Sequence, residues 1–198
     1  MGNYEKVYAH YQERFFEMDH EKASEKLRLE YDDNNIYIPF FSRPVVLSRR
    51  TAEMNSPAYP EGVPTTHRLL VMHHLYFHEP DAVNSTEMVP FHELRECAHF
   101  EPAFRRTAVT PLAKYFDGKL ERLRERALRL GGTIESAGDC GFTLRAFPLV
   151  PLRFIFWDGD DEFPANVNIL FDKNLSQFIH PESIPVLGEV GAALLMEP

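Results

Sequence analysis

Cysteine is scarce: Cys97 and Cys140 are the two in 198 residues. So few thiols exclude a self-contained four-thiolate zinc or iron–sulfur site and the disulfide framework of a small secreted domain, and fit a reducing compartment. Basic residues are outnumbered, 21 Lys and Arg against 30 Asp and Glu, which gives a formal charge of −9. That balance argues against a non-specific nucleic-acid binder, which displaces counterions with clustered cations. No apolar run approaches the roughly 18 residues of a membrane helix. The start, Met1-Gly2-Asn3-Tyr4-Glu5-Lys6, lacks the basic and apolar regions of a signal peptide, and Lys6 stands where a myristoylation motif carries Ser or Thr. A cytoplasmic chain with no nucleic-acid or membrane partner is expected.

What is present suffices for folding. With 44% hydrophobic and 26% charged residues the chain is globular in composition, and its length lets it bury roughly 70% of its unfolded surface. The reading is one domain over 1–198, with a helical segment over 1–30 packed on the core. Tyr4, Val7, Tyr8, Tyr11, Phe15 and Met18 form a helical stripe, and Asp19 is placed to cap a second helix ending near Leu27. Segments 36–41 and 44–47 read as paired strands, with Pro39 arguing for a sheet edge. A helix over 65–78 is apolar on nearly every side, as a central helix would be. Glu87 to Phe91 fits a short strand, and 99–116 reads as helical pieces broken at Pro102 and Pro111. A basic helix then stops at Gly131-Gly132. Four apolar or alternating runs over 133–171 read as an antiparallel meander, and a last helix starts at Ser183. The fold class is α+β, an antiparallel sheet with helices packed against it.

No phosphate-binding glycine loop, nucleophile elbow or His-Glu-x-x-His helix occurs; His92-Glu93-Leu94-Arg95-Glu96 ends on Glu where a second imidazole is required. The densest polar cluster is Trp157-Asp158-Gly159-Asp160-Asp161-Glu162-Phe163. Its four carboxylates repel one another, so they face water or something positive holds them, and a divalent cation would serve. The plainer account is a solvated turn pinned to the core by Trp157 and Phe163. Asp172, ending the next strand, would join the same rim if the strands are neighbours, and Arg105 would stand beside it to grip an anion.

His67, His74 and His78 share one face of the central helix, and the last two have the i, i+4 spacing that chelates transition metals; a polar stripe is the plainer account. His73 reads as a hydrogen-bonded core residue. Cys97 lies between His92 and His99, a setting for a ligand or an activated thiol, against the plainer account of a buried small hydrophobe. Arg105-Arg106, with the Thr107–Thr110 segment after them, could grip a carboxylate or phosphate; the plainer account is that one of the two pairs with a local acid such as Glu101 and the other is solvated.

Several segments carry a resemblance: 69–76 with its paired histidines, 89–94, Phe104-Arg105-Arg106 leading to 111–116, Gly131-Gly132, 147–151, and above all the Trp157–Ala165 turn with Leu170-Phe171-Asp172. In these the chain resembles the family of domains of unknown function 3786. The resemblance implies a setting in anaerobic bacteria and archaea and work beside iron–sulfur or corrinoid redox proteins, because such domains are similar to ones fused to a four-cysteine module. That module is missing here, so an iron–sulfur role would need a partner. The expected function is a soluble, non-catalytic accessory or ligand-binding domain using Trp157, Asp158, Asp160, Asp161, Glu162, Asp172 and Arg105. The rival is a metal-dependent enzyme using the acidic turn or His67, His74 and His78.

Overall fold

Period-two burial builds both sheets of the computed structural model, which describes residues 3–197. The first contains β1 (Glu30–Tyr31), β2 (Asn35–Phe40), β3 (Arg43–Ser48) and β4 (Met54–Asn55), antiparallel and in that order. Along β2, Ile36, Ile38 and Phe40 are buried while Tyr37 and Pro39 point out, as the alternation of a pleated strand requires. The second contains β5 (Met88–Pro90), β6 (Thr133–Glu135), β7 (Cys140–Phe147), β8 (Val150–Trp157) and β9 (Asn166–Asp172), in the order β5-β9-β8-β7-β6. All its pairings are antiparallel. The sheets meet between β2 and β7, where Phe41 N donates to the Ala146 carbonyl at 3.1 Å.

The α+β class and the meander are as expected, but there are two sheets where one was predicted. The two-residue strands β1 and β4 flank the β2–β3 hairpin and are too short to carry a periodic signal. They also make β2 an interior strand, against the edge placement expected from Pro39. The proline is tolerated because β1 pairs only with Ile36 and Tyr37, leaving Pro39 opposite Pro44 on one side alone.

The helices follow their local signals. α1 (Asn3–Phe15) buries Tyr8 and Phe15. Asp19 Oδ1 accepts from Lys22 N at 3.0 Å and caps α2 (His20–Leu27). α3 (Thr65–Phe77) is buried continuously from Leu69 to Leu75. α4 (Glu101–Phe104) continues through a π-helical turn, Arg105–Val109, into α5 (Thr110–Phe116). The predicted breaks at Pro102 and Pro111 are therefore absent. Pro102 stands in a first turn, where its missing N–H costs nothing. Pro111 would crowd the carbonyl four residues back, and the wider turn, closed by Thr110 N donating to Arg105 O, relieves that contact.

α6 (Leu120–Arg129) presents Leu123 and Ala127 to the core and is followed by Gly131 at φ 71°. α7 (Ser183–Met196) runs against the core. Its terminal carbonyls are met by α6: Arg126 Nη2 donates to Leu194 O at 2.9 Å and Nε to Leu195 O at 3.1 Å. One arginine of the basic helix thus completes the C-terminus of another helix.

Candidate functional site

The acidic connection between β8 and β9 is folded by backbone N–H groups. Asp158 Oδ1 accepts from Gly118 N at 2.7 Å and Gly159 N at 3.1 Å, and Asp158 N donates to Asp139 Oδ2 at 2.8 Å. Asp160 Oδ1 accepts from Glu162 N and Phe163 N at 2.8 and 2.7 Å, and these two bonds hold its carboxyl below the usual range. Asp161 and Glu162 extend into solvent. The aromatic anchors expected for the turn are not there: Trp157 is 38% and Phe163 67% exposed. Trp157 falls on the outer face of β8 by strand alternation, and the ties to Gly118 and Asp139 fix the turn instead.

Arg105 and this turn do come together. A groove of about 550 Å3 runs between Arg105, Thr110 and Lys114 on the π-bulged helix and Phe163, Pro164 and Asn166 at the end of the turn. Arg105 reaches Glu101 only at 3.8 Å, a surface i, i+4 pair that contributes little, and Arg106 is exposed. The Lys114 ammonium has no hydrogen bond or ion pair among the described residues.

Asp172 does not join this rim. Turn and carboxylate lie at opposite ends of β9, six residues or about 20 Å of strand apart. Asp172 is 1% exposed and accepts from Ser85 N at 3.1 Å, Thr86 N at 3.2 Å and Asn174 N at 2.8 Å. It fastens the loop before β5 and is closed off from solvent.

His67, His74 and His78 do not converge either. Seven residues separate His67 from His74, about 10 Å of helix, and each ring turns to its own neighbours. His67 lies 5.2 Å from both Phe40 and Tyr59. Burial, with Arg43 adding, pushes its pKa down to about 4. His74 stacks on Phe147, its Nδ1–H donates to Phe178 O at 2.8 Å, and burial pushes it to about 3. His78 Nδ1–H donates to Leu75 O at 2.9 Å. Among the described residues no three His, Cys, Asp or Glu side chains are grouped to hold a metal ion. In the acidic turn one oxygen of each inner carboxylate, Asp158 Oδ1 and Asp160 Oδ1, is taken up by backbone N–H groups.

Cys97 is buried, its thiol pushed up to about 12 by burial and then by Glu96. His92 and His99 are exposed, so the reactive-thiol arrangement does not form. His73 is the hydrogen-bonded core histidine expected, and its partner is one the sequence did not indicate: Nδ1 lies 2.6 Å from Ser183 Oγ. A serine–histidine pair invites comparison with acyl-transfer enzymes, but an oxyanion needs free donors. Ser183 N donates to His180 O, Ile184 N donates to Pro181 O, and Pro185 has no N–H.

Residues 19–193 match the model of a family described as a domain of unknown function (DUF3786). No curated protein and no solved structure matches the chain. Among the described residues no helix is long and apolar enough to cross a membrane.

Proposed function

This chain belongs to the DUF3786 family of domains of unknown function, and from that premise we propose that it is an accessory binding domain whose working surface is the groove between the π-bulged helix and the acidic turn. The observation that carries this reading is the pairing of charge with exposed ring: Arg105 and Lys114 line the wall facing Phe163. Such a groove suits a ligand with one carboxylate or phosphate for the two cations and an apolar body for Phe163 and Pro164. Asp161 and Glu162 stand just outside and oppose polyanions, which keeps nucleic acid off this surface. Both thiols are buried and too few for a four-thiolate cluster, so redox chemistry in this reading belongs to a partner protein, of the iron–sulfur or corrinoid kind.

The test is a calorimetric titration of the full chain with benzoate and with phenyl phosphate, repeated on the Arg105→Gln/Lys114→Gln double variant. Saturable binding of either probe that falls at least about tenfold in the variant supports the groove; the preferred probe identifies the anion. Absence of binding by both, or binding indifferent to the substitutions, overturns it.

A further inference from the structure

A second cavity, of about 220 Å3, opens where α1, α3 and α7 meet. Val7 of α1, Leu69 and Leu70 of α3 and Val186 of α7 supply its apolar wall, and Tyr4 and Thr66 also line it. Into that wall are set two polar side chains that the groove does not use, His73 and Ser183, 8% and 4% exposed. Glu182, exposed beside them, is also part of the lining.

We infer that this cavity is a binding site for a small uncharged molecule with an apolar body and a single hydroxyl or carbonyl oxygen, recognised by the Ser183–His73 pair. Size supports it: protein interiors leave few voids larger than a water molecule, and about 150 Å3 of apolar cavity already accepts benzene. Charge supports it as well. Burial, with His180 adding, pushes His73 down to about 4, so the imidazole is neutral at physiological pH and offers no counter-charge to an anion, which Glu182 in the lining also repels.

The hydrogen-bond inventory defines the ligand further. The His73 ring is enclosed by Tyr11, Phe77 and His180, at centroid distances of 4.7, 5.3 and 5.5 Å, and its Nε2 has no hydrogen-bond partner. Nothing on that side pins the tautomer. When Nδ1–H donates to Ser183 Oγ, the serine O–H is free to donate to a ligand carbonyl. When Ser183 donates to Nδ1, its remaining lone pairs accept from a ligand hydroxyl. The pair serves either oxygen with one geometry, and Ser183 is the member that meets the ligand.

Fluorine NMR titration of the full chain with 4-fluorobenzyl alcohol, 4-fluorobenzaldehyde and fluorobenzene tests the site, and 4-fluorobenzoate reports separately on the Arg105–Lys114 groove. The alcohol and aldehyde should bind saturably at one per chain. Ser183→Ala should weaken both about three- to tenfold, the effect of one neutral hydrogen bond, and change fluorobenzene less than about twofold. Val186→Phe, which fills the cavity, should remove all three while leaving 4-fluorobenzoate unaffected. Val7→Phe fills it from another helix and decides the matter if circular dichroism shows Val186→Phe to be unfolded. Absence of saturable binding, binding that survives filling, or equal weakening of all three neutral probes by Ser183→Ala overturns the assignment.

Discussion

The imidazole of His74 lies flat on the ring of Phe147, centroids 4.0 Å apart and planes within 10°. The stack puts an ionisable group at the centre of the α3 packing, where its charged form has no water. His67 and His73, on the same helix, are also held neutral by burial.

Acid should therefore destabilise the protein before its carboxylates titrate. The folded pKa values of these three histidines, about 4, 4 and 3, lie below the unfolded value of 6.5, so below that value the unfolded chain binds more protons. Stability is fully present above pH 6.5 and falls as pH drops toward 4. Urea midpoints should hold from pH 7.5 to 6.5 and decline from there to 4.5, with up to about three protons taken up on unfolding near pH 5. A midpoint flat over that range contradicts the burial of these rings.

Asp172→Ala should cost about 3 kcal/mol, because it orphans the N–H groups of Ser85, Thr86 and Asn174. Asp172→Asn keeps an acceptor and should cost less than half of that. Neither should alter ligand binding in the groove at the far end of β9, and denaturation alongside calorimetry separates the two effects.

Native Cys97 should resist alkylation at pH 8. With the thiol at about 12 and fully buried, modification should run at least about a hundredfold slower than in denaturant. A rate like that of an exposed thiol would restore the nucleophile reading of Cys97.

Gly188→Ala should destabilise in spite of the helix propensity gained. An added Cβ would stand 2.5 Å from Phe104 Cε2 and 2.8 Å from Cζ, and Phe104 is stacked on Phe91 at 4.5 Å and cannot swing aside freely. Overpacking of about 2 kcal/mol should exceed the roughly 1 kcal/mol that Ala gains over Gly in a helix. Gly191→Ala, whose nearest contact is 3.2 Å, should be milder in the same thermal melts.

Legibility differed by kind of residue. Asp19 was readable as a cap because the bond it makes spans three residues. The Asp158–Glu162 cluster was readable as a turn, but its anchoring to Gly118 and Asp139 joins segments from separate elements. Trp157 and Phe163 were misplaced because hydrophobicity alone predicts burial, while strand phase and the grip of Asp160 on the backbone turn them outward. Nothing in the sequence marked Lys114 as a binding residue: an ordinary polar helix face becomes a groove wall only when a loop is laid opposite it.

The sequence by itself determined the local elements of this protein, the capped second helix, the β2–β3 hairpin, the apolar central helix and the antiparallel meander. Each follows from periodicity, capping or turn chemistry within a few residues of the chain. Only the tertiary structure decided which side chains meet: Arg105 and Lys114 across from Phe163, Asp172 removed to the other end of β9, His73 against Ser183 at a separation of 110 residues. Such meetings are fixed by strand register and by how helices pack on the sheets, and these depend on the whole folded core acting together.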